Sequence, residues 1–320
     1  MKSKIELFCT VGPASLNKKF LNFSKNNISL LRLNMSHLSV DQLKKQIIFI
    51  KKHTKTPICI DTEGAQIRTK VKKNIFIKAG KIIKIHKDNF FFLYPEIIFF
   101  KLKPGDILDV GFKNLKIKIL NRKKLFLNCL VVSSGYLENN KGVHVTNRNI
   151  KLNFLTDKDY EAINVGLKNK IKHFALSFTN STDDINKFNK ILPTQIKIFK
   201  IETALAVKNI EKIMKKGKNF LIDRGDLSKE VNLKKIPIIQ RKICKFGKKY
   251  KTNVFVATNF LESMVENNYP TTGEVNDIYT TLEMSTKGLV LAAETAIGKY
   301  PIECVQYFNE FIKFYKTKNS

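Results

Sequence analysis

Residues 196–226 read IKIFKIETALAVKNIEKIMKKGKNFLIDRGD. Ile196–Ile201 is a short run of β-branched and aromatic residues, Ala206–Lys215 spaces its apolar residues as a helix does, and Asn219–Asp223 is a second short apolar run. This pattern reads as strand, helix, strand, and two strands joined through a helix lie parallel. The same alternation continues outward in both directions. Strand-like runs occur at Ile5–Val11, Ser29–Leu33, Pro57–Asp61 and Ile171–Leu176 upstream, and at Asn253–Ala257 and Gly288–Ala292 downstream. Helical spacing follows most of them, at Val40–His53, Asp183–Leu192, Leu233–Lys249, Val275–Ser285 and Pro301–Phe314. Eight such runs predict an α/β fold, a (β/α)8 TIM barrel. A doubly wound sheet, with fewer and differently ordered units, is the competing architecture.

One connection breaks the rhythm. Between Lys70 and about Val145 no good helix is legible. Ile75–Ile77, Gly80–His86, Asp106–Asp109, Leu115–Leu120 and Lys124–Val132 are β-type runs separated by Gly80, Pro104-Gly105, Asn121 and Gly135. They predict a small β-barrel-like domain inserted after strand 3. The expected division is residues 1–69 for the first part of the barrel, 70–144 for the insert and 145–320 for the rest. An insert at that point can act as a lid that excludes water from the barrel mouth.

Composition narrows the function classes. The 320 residues carry 58 Lys+Arg against 27 Asp+Glu, a formal charge of +31. A patch of such charge would suit a polyanion, but lysine is spread over the whole chain beside abundant Asn, Ile and Phe. Nucleic acid is therefore set aside as a partner in favour of a small anionic substrate. No apolar run reaches the ~18 residues of a membrane span, and Glu6 interrupts the opening segment, so neither membrane nor signal peptide is expected. The cysteines, Cys9, Cys59, Cys129, Cys244 and Cys304, are odd in number and unpaired in spacing. They predict buried thiols in a reducing, cytoplasmic setting. No HExxH, GxxxxGK[ST] or strand-linked GxGxxG occurs.

In a parallel barrel, polar residues just past the strands face the catalytic mouth. Strand two runs into Arg32-Leu33-Asn34-Met35-Ser36-His37, where alternation turns Arg32, Asn34 and Ser36 to one side. Arg32 offers a fork of donors for a phosphoryl group. Asn34, Ser36 and Thr62 with Asp61 form a weak-field oxygen set suited to a monovalent cation. Lys200-Ile201-Glu202 and Asp223-Arg224-Gly225-Asp226 close strands five and six. Glu202 and Asp226 can each give an oxygen to Mg²⁺, leaving positions for substrate and water. The Lys200 ammonium can stabilise charge on a departing enolic oxygen. The backbone at Gly225 and Asp226 can meet a carboxylate or phosphate, and Thr258 offers a hydroxyl for substrate contact or proton relay. Glu294 reads as a structural residue.

Taken together, these segments resemble the pyruvate kinase family. The resemblance is carried by Cys9-Thr10-Val11-Gly12-Pro13-Ala14-Ser15, Arg32 to His37, Asp61 to Thr69, Lys141-Gly142-Val143, Lys200-Ile201-Glu202, Arg224-Gly225-Asp226-Leu227 and Ala257-Thr258. Its most specific stretch is Leu261-Glu262-Ser263-Met264 with Pro270-Thr271 and Glu274-Val275, followed by Glu294-Thr295-Ala296 and Tyr300-Pro301. It implies transfer of a phosphoryl group from phosphoenolpyruvate to ADP, giving pyruvate and ATP, with Mg²⁺ and K⁺. Arg32 would grip the phosphoryl group and Lys200 would stabilise the transfer. Thr258 would serve the enolate carbon through water. Glu202 and Asp226 would bind Mg²⁺, Asn34, Ser36, Asp61 and Thr62 would hold K⁺, and His37, Arg68 and Lys141 would face the nucleotide phosphates.

The sequence also departs from the family. Glu63-Gly64-Ala65-Gln66 stands for Lys-Gly-Pro-Glu, Asp223 for Ala, Asn259 for Gln, Thr272-Gly273 for Arg-Ala, and Ala292-Ala293 for Ser-Gly. The family's carboxy-terminal domain has no counterpart in these residues, which sets the expectation of unregulated kinetics and leaves the barrel helices to form any homo-oligomer. Two further readings stay open: a related enzyme acting on another phosphorylated or carboxylated substrate, and a non-catalytic subunit built on the same fold.

Overall fold

Eight short strands close on one another. They are β1 (Glu6–Thr10), β2 (Leu30–Asn34), β3 (Ile58–Asp61), β4 (His173–Leu176), β5 (Ile196–Ile201), β6 (Asn219–Asp223), β7 (Asn253–Ala257) and β8 (Gly288–Leu291). Each pairs in parallel with its sequence neighbour, and β1 pairs with β8 to complete the ring. The computed structural model describes residues 4–318 apart from Ala65, Lys113, Asn149 and Lys151. The described residues divide into two compact units, one made of residues up to Gly64 with those from Asp157 onward, the other of the residues between. The expected (β/α)8 barrel is the first unit.

Burial explains why the strands read as nearly continuous apolar runs. Ile58–Asp61 and Gly288–Leu291 are buried at every position, because a parallel sheet covered by helices is dry on both faces. Inside the ring, Phe8, Leu30, Cys59, Ala175, Ile198, Leu221, Phe255 and Val290 form one apolar layer to which every strand contributes. The Phe8 and Phe255 rings stack across it at 4.5 Å. Below this layer, a hollow of about 210 Å³ is lined by Glu6, Ser29, His173, Asn219 and Asn253 at the amino-terminal ends of the strands. The charged residues discussed below lie at the opposite, carboxyl ends.

The seam between β1 and β8 is tight. A Cβ on Gly288 would lie 2.1 Å from the Glu6 carbonyl oxygen, so only glycine lets these two backbones approach.

Helices wrap the ring where spacing and caps put them. Ser39, Ser181 and Thr271 each cap a helix reciprocally with Gln42, Asp184 and Glu274. Three details differ from the sequence reading. Ala206–Lys215 is not one helix but parts of two short ones, Ala204–Lys208 and Ile210–Met214, broken at Asn209. A helix at Asp157–Lys168 precedes β4; its moderate amphipathicity is easily missed beside the insert. The insert itself holds a single turn of helix at Ile98–Lys101.

The second unit is a closed seven-stranded β-barrel with a separate two-stranded ribbon of Ile75–Ile77 and Gly135–Leu137. Ile67–Val71 belongs to this barrel, pairing with Phe91–Tyr94 and Gly142–Val145. Its interior is filled by Ile85, Leu108, Ile117, Ile119, Leu127 and Cys129 among others. One buried charge anchors its rim. Arg148 donates from Nε and Nη2 to the two oxygens of Asp106 at 2.6 and 2.7 Å, and the Lys103 amide adds a third bond at 2.7 Å. Burial works against the Asp106 charge, but these donors hold its carboxyl below the usual range. All five cysteines are free and buried. No described helix is long and apolar enough to cross a membrane.

Two outcomes follow from this packing. Gly288→Ala should lower stability by about 1–3 kcal/mol or more, as overpacked cores do, read as a fall in the urea midpoint. Asp106→Asn should cost about 1.5–3 kcal/mol at pH 7, the range for bonds to a charged group. Because the folded-state pKa is depressed, that stabilisation exists above the unfolded value of about 4 and is lost as pH falls through the lower folded value. The gap between wild type and variant in denaturant melts should therefore close in acid.

Candidate active site

Period-two alternation places a polar layer directly on the apolar one. Two residues beyond Phe8, Leu30, Cys59, Ala175, Ile198 and Leu221 come Thr10, Arg32, Asp61, Ser177, Lys200 and Asp223. Side chains on one face of a strand repeat every second residue, so six strands deliver these groups to one level at the carboxyl end of the ring.

Asp61 is the hub. It is fully buried. Its Oδ2 accepts from Arg32 Nε at 2.7 Å and lies 2.5 Å from Arg32 Nη2, and Lys200 Nζ donates to the same oxygen at 3.1 Å. Ser177 Oγ lies 3.2 Å from Asp61 Oδ1 and 2.7 Å from the Thr62 carbonyl oxygen, while accepting from Lys200 Nζ at 3.3 Å. Thr10 Oγ1 accepts from Arg32 Nη1 at 3.0 Å. Burial would raise the Asp61 pKa, but Arg32 and Lys200 outweigh it and hold the carboxyl below its usual value. Burial likewise opposes the charge on Arg32 and on Lys200, and Asp61 leads the carboxylates that reverse this, holding both cations charged.

Lys200 also faces Glu202 Oε1 at 2.7 Å and Asp223 Oδ2 at 3.6 Å. The Glu202 oxygen is close to the ammonium but not aligned with an N–H, and it accepts no hydrogen bond although it is buried. Its partner oxygen takes the Phe178 amide at 2.7 Å. The Glu202 pKa is pushed up to about 8, first by burial, against the pull of Lys200, and then by the neighbouring Asp226, Asp223 and Asp61. Glu202, Asp223 and Asp226 each offer an oxygen within 4.8 Å of the others. Three carboxylate oxygens gathered this closely, one of them meeting the Lys200 ammonium, fit a hard divalent cation.

At β6 the chain turns straight into the helix Arg224–Glu230, and Asp223 caps it with a long 3.5 Å bond to the Asp226 amide. Asp226 pairs with Lys229 at 2.5 Å. Arg224 turns away from the mouth: it bonds Asp277 at 2.7 and 3.0 Å and lies over the Phe260 ring. The Gly225 amide donates to Thr258 Oγ1 at 2.9 Å. Thr258 and Asn259 both have positive φ, 74° and 60°, strained for a β-branched residue and held in part by Arg224 gripping the Thr258 carbonyl.

At the β2–β3 seam, Asn34 and Asp61 are register partners. Asn34 Oδ1 accepts from the Ser36 amide at 3.0 Å, and Thr62 Oγ1 from the Ser177 amide at 3.0 Å. The side-chain oxygens of Asn34 and Thr62 are thus each engaged by a backbone amide beside this carboxylate. His37 is exposed near this seam. In the second unit, Arg68 and Gly142 are register partners, Arg68 Nη1 reaches the Asn140 carbonyl at 3.4 Å, and Lys141 lies 3.8 Å from Glu138. Ala65 lies outside the described residues. Glu294 accepts from the Ala292 amide at 2.6 Å and is buried, as a structural carboxylate would be.

The sequence reading overlooked Ser177, Thr10 and Asp159. The first two were accessible through the same period-two rule applied to β4 and β1. Asp159 was not: from the helix after the insert it accepts the Glu63 and Gly64 amides at 2.7 and 3.1 Å, a contact between residues 95 and 96 positions apart. Glu63, in the place of a family lysine, lies 3.1 Å from Lys158, which also donates to the Met35 carbonyl at 2.6 Å.

A closed parallel barrel with an inserted β-barrel, and with buried cations set against an acidic cluster at the strand ends, defines a (β/α)8 protein equipped to hold a cation and an anion together. The pyruvate kinase barrel domain model matches residues 2–305. Among curated proteins, the chain is 29% identical to a pyruvate kinase of Thermotoga maritima, over 96% of this chain and 70% of that one. It is 31% identical to one of Staphylococcus epidermidis, over 95% and 55%, and 30% identical to one of Methanocaldococcus jannaschii, over 98% and 70%. The chain belongs to the pyruvate kinase family, and it spans between 55% and 70% of the length of these relatives.

Asp61→Asn should remove the carboxylate that bonds both Arg32 and Lys200. Breaking a buried ion pair costs about 3–5 kcal/mol, so the urea midpoint should drop sharply, with Lys200→Met in the same background recovering part of the loss.

Proposed function

We propose that the chain transfers a phosphoryl group from phosphoenolpyruvate to ADP. The observation that carries this reading is the pairing of Lys200 and Arg32, both buried and both kept charged, with an acidic cluster at the ends of β5 and β6. Such transfer needs little covalent chemistry from the protein. It needs charge neutralisation and alignment of the two oxygens between which phosphorus moves.

Glu202 and Asp226 would hold Mg²⁺, which when bound draws negative charge from the phosphoryl and carboxylate oxygens. Arg32 meets the phosphoryl group with its free edge while Asp61 fixes the guanidinium plane. Lys200 presents its ammonium where charge moves from the phosphoryl group onto the enolate oxygen. Its contacts with Asp61 and Ser177 hold it in place, so no reorganisation is needed at the moment of transfer. Gly225 and Asp226 would meet the substrate carboxylate with backbone amides, which exchange their bonds to Thr258 and Asp223 for it. Thr258, whose hydroxyl lies against Gly225, would pass a proton through water to the enolate carbon. Asn34, Ser36, Asp61 and Thr62 would hold K⁺. His37 would face the nucleotide phosphates.

A coupled assay with phosphoenolpyruvate, ADP, Mg²⁺ and K⁺ tests the reading through pyruvate formation. Lys200→Ala should lower kcat at least about 100-fold, the effect of losing a donor aimed at developing charge. A folded, metal-loaded wild-type protein that makes no pyruvate would refute the reaction, and turnover of another phosphorylated acid would then identify the substrate.

A further inference from the structure

Asp223 stands apart from its neighbours in how little holds it. It is 5% exposed. One oxygen meets the Asp226 amide only at 3.5 Å, and the other lies 3.6 Å from Lys200. Lys200 has nearer partners in Glu202 at 2.7 Å and Asp61 at 3.1 Å. The contacts of Asp223 are thus longer than those that hold Asp61 and Glu202. Here it sits beside Glu202 Oε1, itself buried and without a hydrogen bond, and within 4.8 Å of an Asp226 oxygen. Inside the ring, Arg32 and Lys200 face three carboxylates, Asp61, Glu202 and Asp223, while half-buried Asp226 pairs with Lys229.

We infer that Asp223 is a third carboxylate ligand of the divalent cation, converting a site that shares its metal with the substrate into one that holds it beforehand. The inference rests on the reading of Glu202 and Asp226 as the metal-holding pair. Its physical basis is ligand charge. A two-carboxylate site typically completes its hold on Mg²⁺ with substrate oxygens, whereas each added carboxylate raises the affinity of the empty protein. The same excess of negative charge repels an anionic substrate until the cation is in place, so metal binding precedes substrate binding.

The test uses the full chain without substrate, and Mn²⁺ as the probe, followed by its paramagnetic resonance signal. Wild type should bind one Mn²⁺ at least about tenfold more tightly than Asp223→Ala. Asp223→Asn keeps a helix-capping oxygen but removes the charge, and it should lose affinity to the same degree, which separates ligation from the cap. Circular dichroism checks that both variants are folded. Equal affinity in wild type and both variants, with binding abolished in the Glu202→Ala, Asp226→Ala double variant, would overturn the role of Asp223 and leave the pair intact. No Mn²⁺ binding by the wild type would overturn the metal-holding pair and this inference with it.

Discussion

A buried carboxylate shared by two buried cations organises the barrel mouth. Asp61 meets Arg32 with one oxygen and Lys200 with the same oxygen. None of the three could be sequestered alone, because an isolated charge in a protein interior costs several kcal/mol or changes its protonation. Together they stay ionised, and each locks the position of the next. Ser177 and Thr10 add a further hydrogen bond to each cation. The orientation of the two positive groups that face the mouth is therefore set before any ligand arrives.

This network can exist only because the barrel is closed. Strands β2, β3, β4 and β5 supply Arg32, Asp61, Ser177 and Lys200, and their register brings the four to one height. The apolar layer beneath them keeps water from the underside. Closure in turn depends on the β1–β8 seam, where Gly288 leaves room for the Glu6 backbone. Layering, register and seam are thus one constraint seen at three scales.

The departures from the family gain meaning in this setting. Glu63 would have placed an unmatched carboxylate near the site, but Lys158 meets it at 3.1 Å, and Asp159 holds the backbone of the same loop. Asp223 has no such close partner. It joins Glu202 and Asp226 instead, which makes the cluster one of three carboxylates.

Much of the fold was legible in the residues. Eight apolar runs with helical spacers already state a parallel barrel, since only a sheet covered on both faces tolerates such runs. The resemblance carried by Arg32, Asp61, Lys200, Glu202 and Asp226 pointed to the site, and alternation set the side to which Arg32 turns on its strand. What period two cannot supply is distance between strands. That Lys200 meets Asp61 as well as Glu202, that Asp223 lies with Glu202 and Asp226 while Arg224 turns to Asp277, and that Asp159 holds a loop far from it in sequence all depend on register and closure. Helix ends were blurred for a related reason: the break at Asn209 and the helix at Asp157–Lys168 are stabilised by packing rather than by propensity. Sequence alone determined which groups line the inner wall, because side-chain direction is local. Tertiary structure decided which of them meet, because contact across strands is set by a ring that no single strand encodes.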